Sequence, residues 1–214
     1  MVILGLTGSI GMGKTVAAAM FAREGAAVFD ADAAVRCLTA PGGPALPAIG
    51  AAFPDCVRRG AEGLLLDRAA LGQRVFANAT DRERLEAILH PLVREREKSF
   101  LRRAAAAGKC LVVLDIPLLF ETGGERRCDV VAVVSAPAFV QARRVLARSG
   151  MTRNRLAAIV ARQMPDAEKR RRANFVIPTG LGRAVTLRAV RRVVRRLARR
   201  RGRHWPPTDD HGRR

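Results

Sequence analysis

Residues 8–15, near the start of the chain, have the types and spacing needed to hold a chain of phosphate groups. They read GSIGMGKT and match G-x-x-x-x-G-K-[S/T] at every defined position. Glycines let the backbone curl so that successive N–H groups point inward, and a following helix adds its positive N-terminal end. Lys14 would then reach the β- and γ-phosphates of a nucleotide, and the Thr15 hydroxyl would bind Mg²⁺. The predicted nucleotide contacts are Gly8, Gly11, Met12, Gly13, Lys14, Thr15 and Val16.

Two carboxylates follow the second apolar run of the chain. Residues 29–32 read FDAD, and Arg36 stands one helical turn later. Because the carboxyl ends of parallel strands meet at one edge of a sheet, we expect these acids on the same edge as the glycine-rich loop. A carboxylate there can take the proton of an attacking hydroxyl group, or it can cap the following helix. Position alone supports both roles equally, and Asp30 and Asp32 could take one each.

The glycine-rich loop needs a strand before it and a helix after it, and the local sequence predicts both. Residues 2–7 form a short apolar run typical of a buried parallel strand, and the alanine-rich residues 16–23 favour a helix. Gly25 ends that helix, and residues 26–29 predict a second strand that ends at Asp30. A strand, loop, helix and strand in this order form a βαβ unit.

Three further apolar runs, residues 111–115, 130–134 and 175–177, predict more strands. We expect residues 46–107 to be mostly helical, without a strong strand, and with a capping-box-like helix start at residues 80–83. A basic helical stretch is expected over residues 143–162 with a break at Gly150, and a last helix near residues 187–197. Strands that alternate with helices predict an α/β fold, an open five-stranded parallel sheet flanked by helices on both faces.

Composition restricts the class of protein and its partners. The net charge of +20 favours anionic partners, and phosphorylated small molecules and nucleic acids both qualify. No apolar run reaches the ~20 residues needed to cross a bilayer, and the N-terminus lacks the features of a signal peptide. The four cysteines are scattered and have no metal-site spacing. We therefore expect a cytoplasmic protein with reduced thiols and no membrane partner.

The motifs that follow the glycine-rich loop resemble, in their order, those of the dephospho-CoA kinases, a family of P-loop kinases. They are D-A-D-x-x-x-R at residues 30–36, His-Pro at 90–91, PLLFE at 117–121, Q-x-x-R-x-x-x-R at 141–148, and Gln163 before the last predicted strand. Each of these motifs is weak alone, but their ordered combination is specific. The resemblance runs from Val2 to about Gly180, some four-fifths of the chain.

The resemblance implies an enzyme that uses ATP and Mg²⁺ to phosphorylate the ribose 3′-hydroxyl of dephospho-CoA. It also implies the P-loop NTPase fold in a single kinase domain, residues 1–200, followed by a basic flexible tail at residues 201–214. The domain would consist of a core at about 1–45, 108–135 and 173–200, a helical substrate-binding insertion at about 46–107, and a helical lid at about 136–172.

The same resemblance implies roles for individual residues. Asp32 would be the base that accepts the proton of the acceptor hydroxyl group. Arg144 and Arg148 would belong to the lid and stabilise the charge on the phosphates; a solvated basic helix face is the alternative for both. The predicted catalytic residues are Asp32, Lys14 and Arg144, and the predicted substrate contacts are Asp32, Arg36, His90, Leu118 and Glu121.

Several of these residues also have plainer interpretations. A histidine before proline on a helix, as at His90, is more often structural than catalytic. Asp115 ends an apolar strand as an Mg²⁺-binding acid would, but a hydrogen-bonded strand-end carboxylate is about equally supported. Glu121 is interpreted as a wall of the site or as a partner of an arginine. Leu118 and Leu119 are expected to be an apolar lining.

The sequence departs from the family at two places. Residues 173–174 read AN and residues 178–180 read PTG, where the family tends to have Ala-Asp and a later Asn, so the mode of adenine binding is not predicted. Met12 replaces a small residue of the loop, which should change packing near the phosphates without removing backbone donors.

The arginine-rich segment 191–203 invites a nucleic-acid interpretation. A solvated helix face and a loose end are favoured, because Trp205 is the only aromatic residue nearby for stacking against bases. Two alternatives to a dephospho-CoA kinase remain at this stage: another small-molecule P-loop kinase acting on nucleosides or nucleotides, and a P-loop NTPase that binds nucleic acid. A monomer is favoured, although the sequence does not decide the oligomeric state.

Overall fold

The structure is a computed structural model that describes residues 1–61 and 63–206. Its strands are β1 (Val2–Thr7), β2 (Ala27–Asp30), β3 (Val57–Gly60), β4 (Gly63–Leu66), β5 (Leu111–Asp115), β6 (Val130–Ser135) and β7 (Phe175–Pro178). Its α-helices are α1 (Lys14–Arg23), α2 (Ala31–Leu38), α3 (Leu46–Ala52), α4 (Arg68–Ala77), α5 (Ala79–Ala106), α6 (Ala138–Leu146), α7 (Arg153–Ala161), α8 (Asp166–Arg172) and α9 (Arg183–Leu197). The chain forms two compact units, one of residues 1–29 with the chain from Arg103 onward, the other Asp30–Arg102.

The first unit is built around a five-stranded sheet with the strand order β2-β5-β1-β6-β7. The central strand β1 runs parallel to both of its neighbours, with Leu4 opposite Val113 on β5 and opposite Val130 on β6. Strand β7 runs parallel to β6 at the edge of the sheet. The predicted α/β fold with a five-stranded parallel sheet is therefore confirmed.

Both faces of this sheet are buried, as the apolar runs predicted. Alternate side chains of β1, such as Leu4 and Leu6, belong to a core cluster that also contains residues of α1 and α9. Ile3, which points to the opposite face because strand side chains alternate, is buried as well. Helices α1 and α9 pack against each other, and α8 packs against β6. Burial on both faces explains why the strands read as continuous apolar runs rather than as alternating patterns.

The basic stretch predicted as a helix broken at Gly150 is indeed two helices. Helix α6 ends at Leu146, and α7 begins at Arg153, after Thr152 caps it by accepting a hydrogen bond from the N–H of Arg155 (3.2 Å). Gly150 lies between the two helices with a φ of 72°. No residue of α7 is buried, whereas α6 buries one face, including Val140 and Val145.

The second unit is helical but also contains a β-hairpin, which the sequence analysis did not predict. Strands β3 and β4 pair antiparallel, with Val57 opposite Leu66. The hairpin, α3 and α4 contribute to a core around Phe53, Ile49 and Leu71, against which the apolar residues of α5 pack. The segment of residues 46–107 is mostly helical, as expected, but the short hairpin was missed. The hairpin was not predicted because each strand is only four residues long, and β3 carries two arginines instead of an apolar run.

Helix α5 begins earlier than the predicted capping box. The side chain of Asn78 caps it by accepting hydrogen bonds from the N–H groups of Thr80 (2.9 Å) and Asp81 (3.3 Å). Asp81, in the first turn of α5, pairs with Arg74 of α4 at 2.8 Å. This hydrogen bond raises the pKa of the Arg74 guanidinium above its usual value.

Part of the predicted tail is held in place. The N–H groups of Arg203 (2.5 Å) and His204 (3.2 Å) donate to one carboxylate oxygen of Asp129, and the N–H of Ile3 donates to the other (2.7 Å). Asp129 thus ties the start of β1 to the segment after α9. The predicted tail residues 207–214 lie outside the described residues.

Candidate active site

The glycine-rich loop lies between the end of β1 at Thr7 and the start of α1 at Lys14. Gly13 immediately precedes α1 with a φ of 87°, a conformation that favours glycine because a side chain there is strained. Gly8 needs its missing side chain for another reason. A Cβ atom at this position would lie 2.3 Å from a methyl carbon of Val134 on β6. The glycines therefore allow both the turn and the close contact with the sheet.

The N-terminus of α1 is open toward the loop. No side chain caps it, and its first turn carries no acidic residue. Among the described residues, no acceptor is found for the N–H groups of Gly11, Gly13, Lys14 and Thr15. Free N–H groups at the positive end of a helix form a site for an anion, and polyphosphate is the anion that the sequence motif predicts.

Lys14 forms an ion pair with Asp115. Its Nζ lies 2.5 Å from Oδ1 of the carboxylate, and the two side chains are only 15 % and 7 % exposed. Asp115 ends β5 and stands opposite Leu6 on β1, so it lies at the same edge of the sheet as the loop. Position had left Asp115 with two interpretations; the structure gives it a lysine partner of the kind that a phosphate would replace.

The oxygen atoms near Lys14 fit a magnesium ion better than a transition metal. Thr15 is exposed at the second position of α1, and the Asp115 carboxylate is nearby through its pair with Lys14. The described residues contain no group of three His, Cys, Asp or Glu side chains that could hold a metal by themselves. A hydroxyl and a carboxylate oxygen suit Mg²⁺, which is usually held by one or two protein oxygens together with the phosphates of a nucleotide.

Arg144 is held against the loop rather than standing in solvent. Its guanidinium donates to the carbonyl oxygen of Gly11 (3.3 Å), to Oγ1 of Thr179 (3.2 Å) and to the carbonyl oxygen of Thr179 (2.6 Å). The alternative interpretation of a purely solvated helix face therefore does not fit Arg144. Arg148, one turn further along the chain, is exposed.

Met12 and Val16 differ in what they can offer a nucleotide. The Met12 side chain is buried, and its sulfur accepts a hydrogen bond from the N–H of Ala136 (3.2 Å). The larger Met12 side chain therefore packs in the core and does not project into the loop. Val16 on α1 is partly exposed and can contact a ligand directly.

In the second unit, the two acids of the D-A-D motif have different surroundings. Asp30 caps α2, accepting from the N–H of Ala33 (2.9 Å), and it pairs with Arg36 at 3.4 Å. Asp32 is exposed in the first turn of α2, and no hydrogen-bond or ion-pair partner is found for it within the described parts of the chain. Asp30 therefore fills the capping role, and Asp32 is the acid that remains unengaged.

His90 lies on α5, directly before Pro91, and its side chain belongs to the exposed part of that helix. The neighbouring apolar residues Ile88, Leu89 and Leu92 pack against the core of the second unit instead. The exposed side chain of His90 does not pack in the core, as a purely structural histidine would, and it is accessible to a ligand.

Glu121 has a lysine partner that the sequence analysis did not consider. Its Oε1 lies 2.8 Å from Nζ of Lys169 and accepts a hydrogen bond from the N–H of Met164 (2.9 Å). Lys169 is fully buried, and the Glu121 side chain is 18 % exposed. Glu121 therefore pairs with Lys169 of α8, and its predicted pairing with an arginine stays a prediction.

The two leucines of the PLLFE motif also separate. Leu118 is 38 % exposed and can contact a ligand. Leu119 is fully buried, and its side chain would touch any Cβ atom placed at Gly5 of β1. The expectation that Leu119 lines the site is therefore wrong, because this residue belongs to the core beneath the sheet.

Three residues that the sequence analysis assigned no role hold the outside of the loop. Gln141 donates to the carbonyl oxygen of Ile10 (2.8 Å), and Gln163 accepts from the N–H of the same residue (3.0 Å). Thr179 donates through Oγ1 to the carbonyl oxygen of Met12 (2.6 Å). The glutamines stood out in the sequence only as family motifs, and their backbone partners leave no pattern in the sequence.

A five-stranded parallel sheet, a glycine-rich loop between the first strand and the first helix, and a lysine paired with a strand-end aspartate define a P-loop nucleotide-binding protein. The sequence profile of the dephospho-CoA kinase family matches residues 2–181. The chain is 64 % identical over 170 residues to the dephospho-CoA kinase of Paramagnetospirillum magneticum, an alignment that covers 79 % of this chain and 78 % of that one. It is 52 % identical to that of Mesorhizobium japonicum, covering 94 % of this chain and all of the relative. The chain belongs to the dephospho-CoA kinase family.

Solved structures support the same fold. A crystal structure of a protein from Thermus thermophilus superposes with a TM-score of 0.78 and 38 % identity, covering 91 % of this chain and 96 % of that one. The dephospho-CoA kinase from Campylobacter jejuni superposes with a TM-score of 0.65 over 92 % of this chain and 96 % of that one, and at 22 % identity it supports the fold alone. The predicted family and the predicted P-loop fold are confirmed, and with them a kinase that uses ATP with Mg²⁺. None of the helices in the described residues is both long and apolar enough to span a bilayer.

Proposed function

We propose that the chain transfers the γ-phosphate of ATP to the ribose 3′-hydroxyl of dephospho-CoA and so completes coenzyme A. Family membership supports the substrate and the reaction. The observation that carries the proposal for this chain's own residues is the Lys14–Asp115 pair, 2.5 Å long, at the open N-terminus of α1. A positive group and unpaired N–H groups converge there, which is what the γ-phosphate of ATP requires.

On the nucleotide side, the N–H groups of the loop hold the β- and γ-phosphates, and Lys14 leaves Asp115 to bind them. Val16 contacts the nucleotide from the first turns of α1. Thr15 and Asp115 would hold Mg²⁺, which supplies positive charge that neutralises the phosphates when it is bound. Phosphoryl transfer spreads negative charge over the equatorial oxygens, so a lysine held in this position lowers the barrier.

On the acceptor side, Asp32 orients the 3′-hydroxyl group and takes its proton as the new O–P bond forms. At the same time the bond between the γ-phosphorus and the bridging oxygen breaks, and ADP leaves. Two contacts support this role: Asp30 already caps α2 and pairs with Arg36. Asp32, in contrast, is exposed in the first turn of α2. Arg36 and His90 contact the phosphate or adenosine groups of dephospho-CoA, and the exposed Leu118 offers an apolar surface.

The segment of residues 136–172 acts as a lid, and residues 46–107 provide most of the substrate contacts. Arg144 stabilises the phosphates from its position beside the loop, and Arg148 joins it when the lid closes. Exclusion of water by the closed lid suppresses hydrolysis of ATP. The chain is proposed to act as a monomer in the cytoplasm, with nucleic acid no part of its function.

The identity of the phosphorylated product tests the proposal. Purified protein is given ATP and Mg²⁺ with dephospho-CoA, with nucleosides, or with nucleoside monophosphates, and the products are identified by mass spectrometry. We expect coenzyme A in the first reaction and no comparable product in the others. Transfer to a nucleoside or nucleotide but not to dephospho-CoA would reject the proposed reaction, and tight RNA or DNA binding that resists moderate salt, without transfer, would favour a nucleic-acid NTPase.

A further inference from the structure

Three consecutive carbonyl groups of the glycine-rich loop are held from outside by side chains. The donor–acceptor pairs are Gln141 Nε2 to Ile10 O (2.8 Å), Arg144 Nη1 to Gly11 O (3.3 Å) and Thr179 Oγ1 to Met12 O (2.6 Å). All six residues lie in the first unit. The donors come from α6 and from the residue that follows β7, two segments far from the loop in sequence.

These contacts determine where the phosphate-binding N–H groups point. In a planar trans peptide, the carbonyl of one residue and the N–H of the next point in opposite directions. When Gln141 holds the Ile10 carbonyl outward, the N–H of Gly11 faces the other side. In the same way, Thr179 directs the N–H of Gly13. Both N–H groups are among those for which no acceptor is found in the described residues.

Ile10 is held at both of its polar groups. Gln163 accepts from its N–H at 3.0 Å, while Gln141 donates to its carbonyl at 2.8 Å. The side-chain amide of Gln163 therefore acts as an acceptor, and that of Gln141 acts as a donor, at the same residue. Gln141 lies on α6, and Gln163 lies between α7 and α8, so the two contacts come from segments before and after α7 in the chain.

The loop needs such contacts because its own residues restrain it poorly. Three of its eight residues are glycine, and glycine has more backbone conformations to lose than any other residue. A loop that has to be ordered when the nucleotide binds loses affinity in proportion to that ordering. Side chains that order it beforehand remove this loss.

We propose that Gln141, Gln163 and Thr179 are positioning residues that set the loop's N–H groups for the phosphates of ATP. This inference rests on the proposed function, since it concerns the same nucleotide site. None of the three has to touch ATP. Each acts through a backbone group of the loop, and loss of one neutral hydrogen bond should weaken ATP binding about three- to tenfold.

The first test compares two buried threonines. Thr179→Val removes the hydroxyl that holds Met12 and accepts from Arg144 (3.2 Å). Thr186→Val removes a hydroxyl that donates to the carbonyls of Pro178 (2.9 Å) and Gly182 (3.2 Å), neither of which belongs to the loop. Calorimetric titration with ATP and Mg²⁺ should show weaker binding for Thr179→Val and near-normal binding for Thr186→Val. Thr179→Ser, which keeps the hydroxyl, should restore the affinity. The KM for dephospho-CoA should stay within about twofold throughout.

The second test uses the opposite polarity of the two glutamine contacts and does not depend on Thr179→Val folding. Gln141→Glu and Gln163→Glu add the same charge on either side of Ile10. A carboxylate at position 163 still accepts from the Ile10 N–H, whereas at position 141 it faces a carbonyl oxygen and repels it. We expect Gln141→Glu to weaken ATP binding at least about tenfold more than Gln163→Glu.

Equal ATP affinity of Thr179→Val and wild type, or an equal loss in Thr186→Val, would overturn the positioning role. So would the same ATP affinity in both glutamate variants. The wild-type chain's transfer to dephospho-CoA is measured alongside, so that unchanged affinities with normal transfer count against this inference alone. Absence of transfer by the wild type would count against the proposed function.

Discussion

The ammonium group of Lys14 lies 2.5 Å from the carboxylate of Asp115, across the gap between α1 and the end of β5. Without nucleotide, this pairing satisfies a lysine that would otherwise be largely buried with no counter-charge. When phosphates enter, the same lysine can exchange one anionic partner for another. The Asp115 carboxylate would then contact the Mg²⁺ that accompanies the nucleotide. The two residues should therefore respond differently to mutation, although they share one ion pair.

Asp115→Asn should change the dependence on Mg²⁺ more than the dependence on ATP. The substitution keeps an oxygen for Lys14 but removes the charge that would hold the metal. We expect a higher Mg²⁺ concentration at half-maximal rate and a nearly normal KM for ATP at saturating Mg²⁺. The matched variant Lys14→Met should lose affinity for ATP at every Mg²⁺ concentration and lower kcat by roughly a hundredfold or more. An unchanged Mg²⁺ midpoint in Asp115→Asn would mean that the Asp115 carboxylate does not hold the metal.

Asp32→Asn should suppress turnover while leaving ATP binding intact. A positioned base contributes roughly 10²–10⁴-fold to such a proton transfer, so a loss of kcat in this range is expected. Asp30→Asn is the matched control, because it removes the same charge two residues away and asparagine still caps a helix well. Steady-state rates and ATP titrations of both variants measure the difference. Near-normal kcat in Asp32→Asn, or an equal fall in both variants, would remove Asp32 as the base.

Arg144→Lys should lower activity even though the substitution keeps the positive charge. The guanidinium binds the carbonyl oxygens of Gly11 and Thr179 and also the Thr179 hydroxyl, and a lysine cannot make these contacts together. We expect a raised KM for ATP and a lower kcat. Arg148→Lys, at an exposed position on the same segment, should keep a KM for ATP close to that of the wild type. Similar kinetic constants for the two variants would contradict a special role of Arg144.

Removal of either partner of the Glu121–Lys169 pair should destabilise the fold, and the two losses should be unequal. Glu121→Leu leaves a fully buried ammonium group without a counter-charge, which should cost roughly 3–5 kcal/mol. Lys169→Met fills a similar volume and leaves a carboxylate that is partly exposed and still accepts from the N–H of Met164, so a smaller loss is expected. Urea unfolding of both variants measures the two free energies. The reverse order would show that Lys169 does not depend on Glu121 for its counter-charge.

The fold was predictable from sequence where local composition decides the structure. Apolar runs such as residues 111–115 become buried strands because both faces of the sheet are covered, and Gly150 separates two helices as its position indicated. The β3–β4 hairpin escaped prediction because each of its strands has only four residues. Position 78 was missed as a cap because Thr80 and Glu83 gave a more familiar pattern two residues later.

The nucleotide-binding part of the site was predictable for a different reason. Its donors are Lys14 and the backbone N–H groups of the loop, and the spacing of the glycines and Lys14 predicts their arrangement. The support around it was not predictable, because Gln163 and Thr179 act on backbone atoms 153 and 167 residues away in the chain. No local pattern encodes such a partner. The same holds for Lys169, whose burial depends on the fold and not on its basic neighbours in α8.

The unequal surroundings of the lysines make the chain suited to chemical footprinting. It contains four lysines, of which Lys98 and Lys109 are exposed, Lys14 is 15 % exposed and Lys169 is fully buried. An amine-acylating reagent read out by mass spectrometry would therefore have two internal references, one shielded site, and one site whose labelling reports nucleotide occupancy directly.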